Sequence, residues 1–367
     1  MLSPREAVRT LPLYHPPLAG RDGLRFDFNE NTVGCSPRVL ERLRRLGAEE
    51  LARYPERGPV EKGVADFFKV DAGELLLTNG VDEAIHLLCE TYLEPADEAL
   101  IVVPTYSMYR IYMMAAGAQV INVPAGADFS FPAEALRKCI TSRTRLIAIA
   151  NPNNPTGAIA PQEELKRIAR AAPDAALLVD EAYFEFCGQT LLPTPRECPN
   201  LFVTRTFSKA YGLAGLRVGV LVGDADQMRA IRRVCSPYNV NAIALACLPQ
   251  AIADQEYIQQ YAADVLESRV RLESALEAAG IRFWPSRANF VLARVGLTSD
   301  DSAAFVEHMR RRGILVRDRS TDHGCEGCVR ITVGPREHTD RLLVALRETF
   351  ATRNTSQPNA PQGATRA

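Results

Sequence analysis

The alternation of apolar strands with amphipathic helices, from about residue 74 to residue 253, constrains the fold most strongly. The predicted strands are short and almost continuously apolar, as in Leu75-Leu76-Leu77 and Ala176-Leu177-Leu178-Val179. Strands of this kind are buried on both faces, which is typical of a parallel sheet covered by helices. We therefore predict an α/β fold whose large domain is built on a mostly parallel sheet.

The same pattern divides the chain into segments. Residues 1–28 are rich in proline and are expected to form an irregular N-terminal arm. Residues 29–256 are assigned to the large domain, although the smaller domain can include part of 29–50. A long helix then leads into a smaller α+β C-terminal domain, 257–353. Residues 354–367 contain almost no apolar side chains and are predicted to be disordered.

Composition excludes several classes of function. The net charge is −1 and the charges are interspersed, so neither nucleic acid nor an anionic membrane is an expected partner. No apolar run approaches the roughly 20 residues of a membrane-spanning helix, and the start lacks a signal sequence, so we expect a soluble cytoplasmic protein. The nine cysteines are scattered and read as reduced thiols. Cys325-x-x-Cys328 has no second Cys or His pair to complete a site, so no metal is predicted.

Lys209 is conspicuous because lysine is rare in this chain. Of the 43 basic residues five are lysines and 38 are arginines. A lysine amine can lose its proton and act as a nucleophile, whereas an arginine guanidinium stays protonated. Lys209 lies among hydroxyls and small residues, in Thr206-Phe207-Ser208-Lys209-Ala210-Tyr211-Gly212. We interpret it as a candidate for amine chemistry, and the other four lysines as surface charges.

Two loops follow predicted strands at the edge where open α/β sheets bind their ligands. Asn79-Gly80-Val81-Asp82 joins a strand to a helix, and its glycine and free amide groups suit a phosphate. A second loop follows the predicted buried strand 146–150 and reads Asn151-Pro152-Asn153-Asn154-Pro155-Thr156-Gly157. Its prolines can direct an asparagine side chain inward. Each loop alone is also an ordinary turn.

Asp180 ends a buried apolar strand, with Tyr183 three residues later. A buried carboxylate needs a partner, and a protonated ring nitrogen provides one, although a helix-capping role is the simpler alternative. Thr206, Ser208 and Arg217 together can bind a phosphate beside a lysine amine. An aldehyde that carries both a phosphate and a pyridine nitrogen satisfies all of these features, and pyridoxal 5′-phosphate is such a molecule.

These motifs occur in a fixed order along the chain. They are Asn79-Gly80-x-Asp82-Glu83, the asparagine-proline loop 151–157, Asp180-x-x-Tyr183, and Ser208-Lys209 with Arg217. The set resembles fold-type I pyridoxal-phosphate enzymes, specifically the histidinol-phosphate aminotransferase group of class I/II aminotransferases. The resemblance extends from Tyr14 to about Leu346 and implies a fold-type I transferase.

The resemblance implies three catalytic residues. Lys209 would bond to the cofactor aldehyde and Asp180 would pair with the ring nitrogen, while Tyr183 and Asn154 would hydrogen-bond the ring oxygen. Tyr106 would stack on the ring. The residues that the resemblance assigns to the cofactor phosphate are Gly80, Val81, Asp82, Thr206, Ser208 and Arg217.

It also implies a homodimer, because Tyr54 would reach the cofactor phosphate of the partner subunit. For the substrate, Arg330 would bind the α-carboxylate of glutamate or the phosphate of histidinol phosphate, with Arg317 as a second candidate. Tyr14 resembles the residue that closes over the substrate. We expect Arg319 to be an ordinary solvated charge.

The predicted reaction transfers an amino group from histidinol phosphate to 2-oxoglutarate, giving imidazole-acetol phosphate and glutamate in histidine biosynthesis. One departure leaves the donor open: Asn31-Thr32-Val33-Gly34 stands where the family usually has Asn-Pro-Tyr-Gly. The alternatives are an aromatic or broad-specificity aminotransferase and a decarboxylase of phosphorylated amino acids. A more remote alternative is a non-catalytic regulatory protein that binds the same cofactor.

Overall fold

The computed structural model describes residues 2–13, 20, 22–192 and 196–356. The prediction for Tyr14 therefore lies outside the described residues, as does the part of the predicted disordered tail that follows Ser356. None of the described helices is both long enough and apolar enough to span a membrane.

The large sheet has seven strands. They are β2 (Leu75–Thr78), β3 (Glu98–Val103), β4 (Gln119–Pro124), β5 (Thr144–Ala150), β6 (Ala176–Asp180), β7 (Leu201–Thr206) and β8 (Gly219–Val222). Their order is β2-β8-β7-β6-β5-β3-β4, and only the pairings of β8 are antiparallel. The prediction of an α/β fold with a mostly parallel sheet is confirmed, but the reversed direction of β8 was not predicted.

The reversal of β8 determines which strand ends meet. Strands β2 and β7 both run antiparallel to β8 and therefore point the same way, as do β6 and β5. Thr78 at the end of β2 and Thr206 at the end of β7 both lie opposite Gly219. The loops after β2, β5, β6 and β7 consequently open onto one edge of the sheet, which is where the candidate site lies.

Both faces of this sheet are buried. In β2 the side chains of Leu75 and Leu77 pack into one apolar cluster and that of Leu76 into another, and all three are fully buried. This alternation follows from the two-residue repeat of a strand. Burying each such side chain contributes about 2 kcal/mol, so the continuous apolar runs seen in the sequence have a direct energetic role.

The second sheet has five strands in the order β1-β11-β12-β10-β9. Their bounds are β1 (Leu24–Phe26), β9 (Arg282–Trp284), β10 (Phe290–Arg294), β11 (Ile314–Asp318) and β12 (Cys328–Thr332). The prediction that residues 1–28 are irregular is wrong here, because β1 pairs in parallel with β11 and a short helix α1 (Glu6–Arg9) precedes it. A three-residue strand beside a proline-rich segment gives too little alternation to be recognised in the sequence.

Helices surround the two sheets. Besides α1, the α-helices of the described residues are α2 (Pro37–Arg44), α3 (Ala48–Ala52), α4 (Gly58–Phe68), α5 (Gly80–Tyr92), α6 (Ser107–Ala116), α7 (Ala133–Lys138), α8 (Gln162–Ala171), α9 (Phe184–Cys187), α10 (Ala225–Ile231), α11 (Ala242–Ala253), α12 (Gln255–Ala278), α13 (Ser299–Arg311) and α14 (Arg336–Ser356). Ser36 caps α2 by accepting a hydrogen bond from the Arg38 amide at 3.1 Å. Helix α14 continues to Ser356, so the start of the predicted disordered tail, 354–356, is helical instead.

Candidate active site

A cavity of about 570 Å³ lies at the carboxyl ends of the large-sheet strands, with residues of β11 and β12 on its other side. Most of the residues that the sequence singled out line it. They are Val81, Asp82, Tyr106, Asn154, Asp180, Tyr183, Thr206, Ser208, Lys209, Arg217, Arg317 and Arg330. Of the other predicted residues, Gly80 lies directly behind the wall, Tyr54 is elsewhere on the surface, and Tyr14 is outside the described residues.

Asp180 is fixed by three hydrogen bonds at the end of β6. The Tyr109 hydroxyl donates to Oδ2 at 2.6 Å, and the Thr204 hydroxyl and the Ala182 amide donate to Oδ1 at 3.0 and 3.1 Å. Burial raises the pKa of Asp180, and the hydrogen bonds from Tyr109 and Thr204 oppose that shift. A carboxylate held in this way can pair with a cationic ring nitrogen placed in the cavity.

Tyr109 was not predicted as a site residue. It lies in α6, three residues after Tyr106, which immediately precedes the helix, and its side chain is fully buried. The nearness of Tyr109 to Tyr106 in the sequence was the available signal, and the two rings do pack edge to face, with centroids 5.6 Å apart.

Asp82 connects two further side chains of the site. It accepts a hydrogen bond from the Tyr106 hydroxyl at 2.8 Å and from Arg217 Nη2 at 3.0 Å. Gly80 has a φ of +74°, and a Cβ atom there would stand 2.5 Å from Arg217 Nη2. Glycine is therefore required both by the backbone conformation and by the close approach of the guanidinium group.

Two hydroxyls lie beside this guanidinium group on the cavity wall. Thr206 and Ser208 are both buried, and the Ser208 amide donates to the Thr206 hydroxyl at 3.1 Å. Together with Arg217 they also line the cavity. Hydroxyl and guanidinium donors at the start of a helix suit a phosphate group.

Lys209 points toward the smaller sheet. Its Nζ donates to the backbone oxygen of Phe28 at 3.0 Å, in the segment that follows β1. Burial lowers the pKa of Lys209 to about 8, Arg330 acts in the same direction, and Glu30 opposes both. Among the lysines of the chain, Lys62 is exposed, as predicted for a surface charge. A much larger fraction of the Lys209 amine is therefore neutral near physiological pH than for an ordinary lysine.

Asn29 holds Tyr183 in place and was not given a role by the sequence analysis. Its Nδ2 donates to the Tyr183 hydroxyl at 2.9 Å, while its Oδ1 accepts from the Thr332 hydroxyl at 3.0 Å. Asn29 is buried and has a φ of +56°, a region that asparagine tolerates better than most residues. The ring edge of Tyr183 packs against Phe290.

Arg330 joins the two sides of the cavity. Nη1 donates to Asn154 Oδ1 at 2.5 Å and Nη2 to the backbone oxygen of Asp27 at 2.6 Å. Arg317 lies directly opposite Arg330 in the sheet and packs over the ring of Phe28. Burial lowers the pKa of Arg330 to about 10, and the positive charge of Arg319 acts in the same direction. The expectation that Arg319 is a solvated surface charge is wrong, since its side chain is 11% exposed and it lines the cavity.

Three sequence features lie outside the cavity. Tyr54 is 77% exposed and stacks on Tyr238 at 4.3 Å between ring centroids. The Thr32 hydroxyl is 2.9 Å from His338 Nδ1. The buried thiols of Cys325 and Cys328 hydrogen-bond to each other and pack with the apolar residues Phe129, Trp284 and Leu292.

Within the described part of the chain, no group of three His, Cys, Asp or Glu side chains is arranged to hold a metal ion.

The site fits pyridoxal phosphate. Asp180 can face the ring nitrogen, Lys209 can face the aldehyde, and the hydroxyls with Arg217 offer donors to the phosphate. Arg217 can approach the backbone at this position because Gly80 carries no side chain. Fold and site together define a fold-type I pyridoxal-phosphate enzyme.

Comparison with known proteins narrows this class. Residues 21–346 match the family described as aminotransferase class I and II. Histidinol-phosphate aminotransferase of Paracoccus denitrificans (strain Pd 1222) is 35% identical over 366 residues, covering 97% of this chain and 98% of that protein. The protein of the same name from Geobacillus sp. (strain WCH70) is 33% identical, covering 89% of this chain and 90% of its own.

A solved structure agrees with these sequence matches. Histidinol-phosphate aminotransferase from Sinorhizobium meliloti in complex with pyridoxal-5′-phosphate superposes with a TM-score of 0.86 at 25% identity, covering 95% of this chain and 97% of that one. The chain belongs to the class I and II aminotransferase family and is a pyridoxal-phosphate-dependent aminotransferase.

Proposed function

We propose that this enzyme transfers the amino group of histidinol phosphate to 2-oxoglutarate, giving imidazole-acetol phosphate and glutamate. The observation that carries the proposal is the placement of Arg317 and Arg330 in the same cavity as the Lys209 amine. A donor with a phosphate and an acceptor with two carboxylates both need cations in the cavity that holds the reacting amine. The names of the relatives support the same choice.

Lys209 is the acid-base residue of the proposed reaction. Its lowered pKa, about 8, allows Nζ to accept the proton from the donor's α-carbon and to return it at the neighbouring position. The bound cofactor supplies the electron sink that makes this α-proton acidic. The backbone oxygen of Phe28 orients Nζ, since it accepts a hydrogen bond from it at 3.0 Å.

The remaining large-domain residues orient the cofactor. Asp180 holds a proton on the ring nitrogen by its negative charge, and its three hydrogen bonds keep it in place. Tyr183 and Asn154 would hydrogen-bond the ring oxygen, and Tyr106 would cover one face of the ring. Hydrogen-bond donors to the cofactor phosphate come from the loop Gly80-Val81-Asp82, from Thr206 and Ser208, and from Arg217.

The anionic end of each substrate is bound on the side of the smaller sheet. Arg330 binds the α-carboxylate of glutamate or the phosphate of histidinol phosphate, and Arg317 assists from the adjacent strand. Their positions are set by the antiparallel pairing of β11 and β12, which places the two residues opposite each other.

The enzyme acts as a homodimer in the cytoplasm under this proposal. Tyr54 is 77% exposed on its own subunit although it is a large aromatic residue stacked on a second one, Tyr238. An exposed aromatic pair is typical of a protein interface. Tyr54 would then reach the cofactor phosphate in the partner subunit. Sedimentation of wild type and of Tyr54→Phe, together with their affinities for the cofactor, tests this step.

A half-reaction screen tests the proposed substrates. Histidinol phosphate, glutamate and phenylalanine are each added to the holoenzyme, and the loss of the visible cofactor absorbance is followed. We expect histidinol phosphate to react with the highest kcat/KM among the primary donors. A clear preference for phenylalanine would contradict the proposal, and release of carbon dioxide would identify a decarboxylase instead.

One observation favours a broad-specificity aminotransferase as the second candidate. The Thr32 side chain is directed to His338 of α14, and neither Thr32 nor Val33 brings an aromatic ring to the site. The donor side is therefore less enclosed than the family motif implies. The same half-reaction screen separates this candidate, since it predicts comparable rates for several amino acids.

A further inference from the structure

Arg319 is placed like a binding residue and not like a surface charge. It follows β11 directly, and its side chain is 11% exposed. It lines the same cavity as Lys209 and Arg330. One of its terminal nitrogens forms an ion pair with Asp322, three residues later on the loop between β11 and β12.

The three arginines of this wall share one feature. Each keeps one buried nitrogen that has no hydrogen-bond partner among the described residues: Nη1 of Arg317, Nε of Arg319 and Nε of Arg330. Buried donors in folded proteins are normally satisfied, and leaving one unsatisfied costs about 1–3 kcal/mol. Arg269, Arg271 and Arg294, elsewhere in the described chain, also keep such a nitrogen, so this wall is distinguished by three guanidinium groups that line one cavity, where an anion can bind them.

Positive charge exceeds negative charge in this wall. Within the described part of the chain neither Arg317 nor Arg330 forms an ion pair, and Arg319 has Asp322 as its partner. Burial raises the pKa of Asp322, while Arg319 opposes the shift. The ion pair with Asp322 uses one terminal nitrogen of Arg319 and fixes the direction of the guanidinium group.

We propose that Arg319 completes a three-arginine site for the phosphate of the amino donor and that it determines the preference for phosphate over carboxylate. Asp322 is its positioning residue. A phosphate monoester presents three terminal oxygens and close to two negative charges, whereas a carboxylate presents two oxygens and one charge. The third arginine therefore strengthens the binding of a phosphate substrate more than the binding of a carboxylate substrate. This inference rests on the proposed function and identifies the group that selects its donor.

The test compares histidinol phosphate with histidinol, which lacks the phosphate, on the holoenzyme of wild type and of Arg319→Gln. We expect Arg319→Gln to raise the KM for histidinol phosphate about 30-fold, to change kcat less than about 3-fold, and to leave kcat/KM for histidinol unchanged. Arg319→Lys should recover part of the loss because it restores charge without the planar group. Asp322→Asn should raise the same KM about 3-fold.

An equilibrium measurement separates this inference from the proposed function. Calorimetry with inorganic phosphate on the holoenzyme should show about 10-fold weaker binding in Arg319→Gln than in wild type. Arg271→Gln is the matched control, since Arg271 also pairs with an aspartate, Asp340, but does not line the cavity. If wild type does not use histidinol phosphate, the proposed function fails and the phosphate affinities alone decide on Arg319. Unchanged phosphate affinity and unchanged KM in a folded Arg319→Gln would overturn the inference.

Discussion

The two walls of the cavity are built on opposite principles. On the side of the large sheet, the polar groups bind each other: Asp180 accepts three hydrogen bonds, and Asp82 accepts one from Tyr106 and one from Arg217. On the side of the smaller sheet, Arg330 and its two neighbours keep buried donors without partners in the described part of the chain. The first wall is complete before anything binds, and the second is not.

This difference matches what each wall has to bind. A cofactor stays in place through many reaction cycles, so rigid and mutually satisfied groups suit it. Two different substrates must enter and leave in turn, so their site needs unsatisfied cations that a phosphate or a carboxylate can use. Substitutions in the two walls should therefore lower the activity by different amounts.

Replacing Lys209 should have the largest effect because its amine faces both walls. We expect Lys209→Ala to lower the transamination rate by more than about 1,000-fold, since it removes the acid-base group. The visible absorbance of the bound cofactor should be lost as well. Lys166→Ala is the control, because Lys166 is a half-buried lysine that pairs with Glu163 and Glu197 away from the cavity. Retained transamination in Lys209→Ala would exclude the proposed role.

Arg330→Gln tests the incomplete wall. We expect kcat/KM to fall about 100-fold for both histidinol phosphate and glutamate, because a buried cation that contacts the substrate anion is lost. The visible absorbance of the cofactor should remain, since Arg330 belongs to the substrate side. Steady-state kinetics and an absorbance spectrum of the same sample give both results. Loss of the cofactor in this variant would show that the two walls are not independent.

The rate at which the cofactor attaches to Lys209 should change with pH, and this change should be smaller than the effects of the two substitutions above. The folded-state pKa of Lys209, about 8, lies below its ordinary value of 10.5, so the neutral amine is favoured in the folded protein. Since the neutral amine is the nucleophile, the attachment rate to the apoenzyme should rise about tenfold between about pH 7 and 9 and then level off. Stopped-flow absorbance measures it. A rate that still rises steeply above about pH 9 would mean that the pKa of Lys209 is not lowered.

The sequence predicted one wall much better than the other. Asp180, Lys209 and the Asn79-Gly80 turn each follow an apolar strand, so the strand pattern alone placed them at one sheet edge. Arg319 and Asn29 carried no such signal. Their positions depend on β1 pairing with β11 and on the loop between β11 and β12, which are long-range contacts that local periodicity does not encode.

Tyr109 shows a second limit of the sequence. A tyrosine on a helix is normally read as an apolar core residue, and Tyr109 does pack in the core. Its hydroxyl nevertheless donates to Asp180, 71 residues later, at 2.6 Å. A burial pattern predicts that such a residue faces inward, but it does not show which polar group its hydroxyl contacts.

Tyr109→Phe should have the smallest effect, although Tyr109 contacts Asp180 and is fully buried. Phenylalanine keeps the packing, and Asp180 retains its hydrogen bonds from Thr204 and Ala182. The loss of one hydrogen bond should cost about 1 kcal/mol, which corresponds to about a fivefold decrease in kcat, and should raise the pKa of Asp180 further. Tyr92→Phe is the control, since Tyr92 bonds Gln227 and does not line the cavity. If Tyr109→Phe were as damaging as Arg330→Gln, the satisfied wall would depend on single contacts, and the contrast between the two walls would have to be abandoned.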